Sequence, residues 1–238
     1  MDQTTRCVGW AKRKRRVHLA TNGEVKINLG CGLHVAPGWI NIDGSLNALI
    51  ASSPAWLHPV AYKLSGSRQY YTKDAYCAIL GKHVFIHHNL AYGIPLQDKT
   101  TDFVYSSHFL EHLDKQSGRR LLEECWRVLR PGGVLRLAVP DLELAWEMYR
   151  RGDKEQMIHD FFFAEEATGF AQHRYAYDFA MLRDLLSEIG FDEIRRAKFQ
   201  EGATPDLDIL DNREDYTLFV EARRPAELPA AGRIEKPA

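Results

Sequence analysis

Short apolar segments alternate with longer amphipathic ones along most of the chain. The first of them, residues 25–29 (VKINL), places apolar side chains at every second position before a glycine ends it. This two-residue period is typical of a β-strand. The same reasoning predicts strands at residues 25–29, 39–43, 83–88, 102–106, 134–139, 193–199 and 216–222.

Helix-period patterns fill the intervals between these strands. Residues 117–129 (SGRRLLEECWRVL) gather apolar side chains on one face and charged ones on the other. The Pro-Gly-Gly at 131–133 is expected to end this helix, because proline cannot continue the hydrogen-bond ladder. Further helices are predicted at residues 142–151, 153–168 and 177–189, with one or two more in the irregular segment 44–82. The alternation predicts an α/β fold with a mostly parallel sheet and helices on both faces.

The balance of basic and acidic side chains limits which classes of binding partner are expected. The 238 residues carry 31 basic and 32 acidic side chains, a formal net charge of −1, which gives no support for a strongly polyanionic main ligand. The exception is the run KRKRR at 12–16, in an N-terminal arm (1–22) that we expect to be flexible. Its alternative role is contact with nucleic acid or an anionic membrane surface. One domain is predicted for residues 23–224, followed by a flexible tail at 225–238.

The spacing of the cysteines and the hydropathy of the chain indicate the cellular compartment in which the protein is expected. Cys7, Cys31, Cys77 and Cys125 lie far apart without a C-x-x-C pair, which argues against a disulfide framework and fits a reducing cytosol. The N-terminal residues lack the apolar core of a signal peptide, and no apolar run approaches the ~20 residues that cross a bilayer. We therefore expect a cytoplasmic protein without a membrane span.

Parallel sheets bind ligands where their strands end, which directs attention to the residues after the first two strands. Gly30, Cys31 and Gly32 follow the first strand, and glycine there lets backbone N–H groups approach a ligand. The dinucleotide fingerprint needs glycine where Val35 stands, so this pair is a weak signal that plain turn glycines would also explain. Asp43 ends the second strand, where a carboxylate either accepts both hydroxyls of a ribose or starts an Asp-Gly turn.

Four segments together resemble the class I S-adenosylmethionine-dependent methyltransferases. They are INLGCG at 27–32, GWINID at 38–43, TTDFVYSSHFLEHL at 100–113 and LLEECWRVLRPGGVLRLAVPD at 121–141. The likeness covers most of residues 25–221 and is nearest to a bacterial branch associated with glycan or secondary-metabolite pathways. The resemblance implies a Rossmann-like seven-stranded sheet with an antiparallel last strand, and S-adenosylmethionine as the cofactor.

The resemblance also implies which positions hold that cofactor. They are Gly30, Cys31, Gly32, Asp43, Asn89, Leu90, Ser106 and Ser107. The group after the first strand would line the methionine and ribose, and the acid after the second would hold the ribose diol. The pair after the third strand would meet the adenine. The two serines, with His108, would border the sulfonium and the acceptor.

The sequence departs from the family at three positions. Asn28 stands where an acid is frequent, and His34 replaces a common third glycine. Asn89 replaces a frequent aspartate, although an amide oxygen can still accept from the adenine amine. The interval from Gly32 to Trp39 is too short for a crossover, which takes at least about 10–12 residues. We therefore predict that the first helix is vestigial.

Three polar residues are the candidate catalytic groups: His108 after the fourth strand, Asp141 after the fifth, and His173 in GFAQHRYAYD. An imidazole titrates near ~6.5 and can take a hydroxyl proton, whereas turn polarity and loop solvation are the alternatives. His108, Glu111 and His112 also match the H-x-x-E-H zinc-peptidase signature. That chemistry needs a long helix and a third ligand, but this match starts directly after a strand. We therefore predict no metal.

The predicted activity is methyl transfer to an oxygen or nitrogen of a small-molecule, glycan or natural-product acceptor. Segments 44–82 and 141–178 are expected to cover the acceptor, and nucleic acid is not the expected partner. Three alternatives stay open. They are a cofactor-binding protein without turnover, an RNA methyltransferase that uses the basic arm, and, last, a zinc hydrolase built on His108 and His112.

Overall fold

A seven-stranded sheet, in the order β3-β2-β1-β4-β5-β7-β6, forms the centre of the protein. The computed structural model describes residues 23–162 and 172–226, so the predicted arm and most of the predicted tail lie outside the described residues. The strands are β1 Lys26–Leu29, β2 Ile40–Asp43, β3 Val84–His87, β4 Thr101–Ser107, β5 Leu129–Pro140, β6 Asp192–Ala197 and β7 Thr217–Arg223. Strands β1 to β5 run parallel, and β7 runs antiparallel between β5 and β6. The predicted Rossmann-like fold, with its antiparallel last strand, is confirmed.

Helices pack on both faces of the sheet. They are α1 Leu46–Ala51, α2 His58–Leu64, α3 Lys73–Lys82, α4 Lys115–Val128, α5 Leu142–Arg151, α6 Lys154–Phe161, α7 Phe179–Ile189 and the single turn α8 Leu207–Leu210. Ile86 belongs to the main apolar cluster with side chains of α4 and α7, whereas Phe85 belongs to a second cluster with side chains of α3. Successive side chains of a strand point to opposite faces, so these clusters lie on opposite sides. No helix in the described residues has the length and apolar character of a membrane span.

The boundary between α4 and β5 differs from the prediction. The helix ends at Val128 and β5 begins at Leu129, ahead of the Pro-Gly-Gly rather than after it. The backbone is already extended at Leu129, with φ −64° and ψ 141°. Pro131 disfavours helical backbone at the residue before it, which keeps the chain extended into the strand. Gly132 then takes the left-handed conformation, with φ +82°, inside the strand that it was expected to precede.

The connection before β2 is short and has no helix, whereas the connection after it is long and helical. Residues 33–39 contain no helix, which confirms the prediction of a vestigial first crossover. The buried Asn28 stabilises this short connection, because its amide donates a hydrogen bond to the His34 carbonyl at 2.9 Å. The segment after β2, expected to hold one or two helices, holds three helices and 3₁₀ turns at Ala55–Leu57 and Gly66–Gln69.

A buried ionic network joins β5 to β7 and to the connection between β6 and β7. Arg136 of β5 is 0% exposed, and its guanidinium donates to the carboxylates of Asp211 and Glu221. It also donates to the carbonyl oxygens of Lys198, at 2.8 Å, and Glu201, at 3.1 Å. An arginine has five N–H donors, and each finds an acceptor here, so the charge is buried together with its partners.

Candidate active site

The bend after β1 brings backbone close to the end of β2. Gly30 and Gly32 both have positive φ, +64° and +54°, which favours glycine at each position. A Cβ at Gly30 would lie 2.2 Å from the ring of Phe109, so only glycine lets this ring pack against the bend. A Cβ at Gly32 would meet nothing within 4 Å, which leaves this side of the bend open to a ligand.

Asp43 is fixed against the bend. Its Oδ2 accepts a hydrogen bond from the Gly32 N–H at 2.8 Å, and its Oδ1 accepts one from the Ser45 N–H at 2.6 Å. The side chain is buried, with the residue 7% exposed. A carboxylate offers about four lone-pair positions, so each oxygen keeps capacity for another donor. The structure thus brings together the two features that the sequence placed at neighbouring strand ends.

The side chain of Cys31 is buried beside the bend. It packs in an apolar cluster with Ala48, Tyr76 and Phe85, and burial, followed by the nearby Asp43 charge, raises the pKa of its thiol. The neutral thiol is a small apolar group there. A ligand at the bend would therefore contact the backbone of Cys31 rather than its side chain.

The end of β3 presents one polar and one apolar side chain. Asn89 is exposed, and its Oδ1 accepts a hydrogen bond from the Ala91 N–H at 2.9 Å, which caps the 3₁₀ turn Leu90–Tyr92. Leu90 is buried in the main apolar cluster. A Cβ at Gly44 would lie 3.5 Å from the carbonyl of His88, so the ends of β2 and β3 are close.

The end of β4 carries the predicted serines and the first candidate base. Ser106 is buried and donates a hydrogen bond to the Leu29 carbonyl at 3.3 Å, which ties it to β1, whereas Ser107 is half-buried. His108 has a φ of +47°, uncommon for a residue other than glycine. Its N–H donates to the Ala138 carbonyl at 2.9 Å, and its Nε2 lies 3.1 Å from the hydroxyl of Thr217.

Glu111 brings the two candidate histidines together. The residue is 1% exposed, and its Oε1 lies 3.4 Å from His108 Nδ1 and 4.0 Å from His173 Nε2. Neither carboxylate oxygen accepts a hydrogen bond from any of the described residues. His112 lies in the 3₁₀ turn Leu110–His112, not in a long helix, with its ring centroid 5.2 Å from that of His173. The sequence indicated Glu111 only as part of a motif, because nothing local signals its burial.

Asp141, the third candidate catalytic group, makes the contacts of a helix cap. Its Oδ1 accepts a hydrogen bond from the Glu143 N–H at 3.0 Å at the start of α5, and its Oδ2 lies 3.5 Å from Arg196 Nη1. Partial burial raises the pKa of this carboxyl group. These contacts hold Asp141 at the end of β5, and a catalytic role stays a prediction.

Comparisons with known proteins agree with this fold. Residues 59–137 match a family model described as "Methyltransferase domain". A probable S-adenosylmethionine-dependent methyltransferase of Mycolicibacterium smegmatis is 44% identical over 55 residues, which is 23% of this chain and only 20% of the relative.

Solved structures extend the likeness over most of the described chain. A methyltransferase structure from Methanosarcina mazei is 18% identical and covers 87% of this chain and 95% of its own, with a TM-score of 0.50. A Thermotoga maritima structure described as a possible histamine N-methyltransferase is 17% identical and covers 86% of this chain and 84% of its own, with a TM-score of 0.49. In sequence over residues 59–137, and in overall fold, the chain is therefore similar to methyltransferases, among them S-adenosylmethionine-dependent ones.

Proposed function

We propose that this chain binds S-adenosylmethionine at the ends of β1 to β4 and transfers its methyl group to an acceptor. The observation that carries the proposal is the hydrogen bond between Asp43 and the Gly32 N–H, which holds an acid beside an open glycine bend. Asp43 would hold the ribose diol. The backbone of Gly30, Cys31 and Gly32 would lie along the methionine and ribose.

The remaining cofactor contacts follow the strand order. Asn89, with Leu90 beside it, would meet the adenine, because its amide keeps both N–H groups and one lone pair besides the cap bond. Ser106 and Ser107 would border the sulfonium from the end of β4. The cofactor supplies an activated methyl group, so the chain's own task is alignment, which can account for roughly 7–11 kcal/mol of a barrier.

The acceptor is an oxygen or nitrogen of a small molecule, with glycans and natural products as the classes proposed. His108 and His173 converge on Glu111 at the end of β4, which supports them as the groups that take or orient the acceptor's proton. Asp141, at the end of β5, would orient segment 141–178, which is proposed to cover the acceptor. Such groups typically contribute about 10²–10⁴-fold in rate.

Two segments, 44–82 and 141–178, are proposed to cover the acceptor. The first carries apolar side chains that no neighbour covers fully: Trp56 is 72% exposed, Leu64 85% and Tyr70 64%. Apolar surface of this kind suits the cover of a binding site. A cytoplasmic location is proposed with this function, since Cys31, Cys77 and Cys125 are free thiols.

Calorimetric titration of Asp43→Ala with S-adenosylhomocysteine tests the proposal. Hydrogen bonds to a charged group are each worth about 1.5–3 kcal/mol, so losing two should weaken binding about 100-fold or more. Asp74→Ala removes an exposed acid from the first turn of α3 and should bind as the wild type does. Thermal melting shows whether each variant is folded. Unchanged affinity in folded Asp43→Ala contradicts the proposed site.

A further inference from the structure

Glu111 lacks the partners that a buried carboxylate needs. It is 1% exposed, and neither of its oxygens accepts a hydrogen bond from any residue in ranges 23–162 and 172–226. A buried charge is stable only when it is paired, hydrogen-bonded or bound to a metal. The ring nitrogens closest to its Oε1 belong to His108 and His173. A histidine can bind a metal ion when it is neutral and can form an ion pair when it is protonated.

His112 and His173 are oriented as metal ligands commonly are. Nδ1 of His173 lies 2.6 Å from the Phe161 carbonyl, and Nδ1 of His112 lies 3.2 Å from the Gln172 carbonyl. A carbonyl oxygen only accepts, so each Nδ1 must carry a proton and each neutral ring keeps a lone pair on Nε2. A backbone carbonyl that fixes the outer nitrogen is the usual second partner of a metal-bound histidine.

We infer that Glu111, His112 and His173 bind a divalent transition-metal ion, with Zn²⁺ as the best match to the ligands. Their ligand atoms lie within 4.8 Å of one another. Two imidazole nitrogens and one carboxylate oxygen form a ligand set that zinc takes in proteins. Three protein ligands leave a fourth position, which in such sites holds water or substrate.

The third ligand explains why the H-x-x-E-H pattern alone misleads. The zinc-peptidase arrangement places both of its histidines on one long helix, whereas here His108 precedes a 3₁₀ turn, Leu110–His112, that ends with His112. Here His173 comes from a separate segment, more than 60 residues later in the chain. Glu111 acts as a ligand in this site. No peptidase chemistry is implied.

The backbone that carries the three ligands is already joined. The Glu111 carbonyl accepts hydrogen bonds from the N–H of Arg174, at 2.7 Å, and of Tyr175, at 3.2 Å. The turn after β4 and the segment with His173 are therefore held side by side without a metal. Metal binding needs only side-chain movement, which favours affinity because little ordering remains to be done.

The site bears on the proposed chemistry without depending on it. A metal-bound His173 has no lone pair left for an acceptor's proton, so His108 becomes the remaining histidine for that role. His108 contacts the same carboxylate and reaches Thr217 through its other nitrogen, which makes it a neighbour of the metal rather than a ligand. Zinc binding can be measured whether or not methyl transfer is found.

Titration of metal-free, untagged protein with ZnCl₂ by calorimetry tests the inference. We expect one Zn²⁺ per chain and at least about tenfold weaker binding in His112→Ala and in His173→Ala, since losing even an outer partner costs 10–100-fold. Co²⁺ should give a visible absorption band that both variants lose. Melting curves, and His→Gln replacements where an alanine variant is unfolded, separate loss of a ligand from loss of the fold.

His159→Ala is the matched control, because His159 lies beside Asp160 on α6 and is 68% exposed at its side chain. It should bind Zn²⁺ as the wild type does. Absence of stoichiometric binding to the wild type overturns the inference. Wild-type affinity in the folded His112→Ala and His173→Ala variants overturns it equally.

Discussion

Replacing Arg136 by methionine tests how much the buried network stabilises the half of the sheet that contains β5, β7 and β6. Methionine has about the length of the aliphatic part of arginine but none of its five N–H donors. The carboxylates of Asp211 and Glu221, both nearly fully buried, would then lose their shared cation. The perturbation removes charge pairing while leaving most of the packing in place.

The expected cost follows from what remains around the carboxylates. Removing one partner of a buried ion pair costs about 3–5 kcal/mol. Asp211 would keep the Gln200 N–H at 2.9 Å, and Glu221 would keep the Ala203 N–H at 2.9 Å, so neither is left bare. We therefore expect a loss at the lower end of that range, about 3 kcal/mol. The total free energy of unfolding of a folded domain is about 5–15 kcal/mol, so such a loss is readily measured.

Urea unfolding followed by circular dichroism measures this loss as a lower midpoint at unchanged slope. Arg119→Met is the matched control, since Arg119 is 41% exposed at its side chain and pairs with exposed Glu123 and Glu188. Exposed pairs contribute about 0–1 kcal/mol. If the two variants unfold at the same urea concentration, the reasoning about the buried network is refuted.

Three further changes test other parts of the fold. Gly30→Ala should destabilise the fold by more than the roughly 1–2 kcal/mol that its positive φ alone would cost, because the new Cβ meets the ring of Phe109. Gly81→Ala is the control: it has open space in α3 and should stabilise the fold by about 0.5–1 kcal/mol, both variants being measured by thermal unfolding. Asn28→Asp removes the amide that donates to the loop after β1 and should lower both the melting temperature and the cofactor affinity, whereas an unchanged affinity would show that this loop does not depend on it. Burial opposes ionisation of Glu221, but hydrogen bonds from backbone N–H groups and a nearby arginine lower its pKa overall. Its contribution to stability is present above the ordinary glutamate pKa of about 4.3 and is lost as the pH falls through the lowered value, so the urea midpoints of wild type and Glu221→Gln should converge in acid.

The strands were predictable to within a few residues because their periods are local. The start of β5 was not, since Leu129 is already extended and pairs with Thr101 of β4 before the Pro-Gly-Gly is reached. Asp43 and the glycine bend could be placed together from strand order alone, because parallel strands end at one edge. The direction of the Cys31 side chain could not, since it depends on the helices that pack over β3.

The meeting of Glu111 with His173 was beyond sequence reasoning for a different reason. Their contact joins a turn to a segment more than 60 residues away, and neither segment has a periodic pattern that predicts burial. His108 and His112 drew attention through spacing, yet the ring that completes the cluster comes from elsewhere. Local patterns identify elements, whereas convergence of side chains is decided by tertiary packing.

The position of β7 has a consequence for synthesis. It lies between β5 and β6, so the last of the strands in residues 23–162 and 172–226 fills an interior place in the sheet. While the nascent polypeptide is still short of residue 223, β5 presents a bare hydrogen-bonding edge and β6 has no neighbour. Such edges invite pairing with other chains. These strands therefore complete their pairing only after residues 217–223 have left the ribosome, and until then the exposed edges favour aggregation.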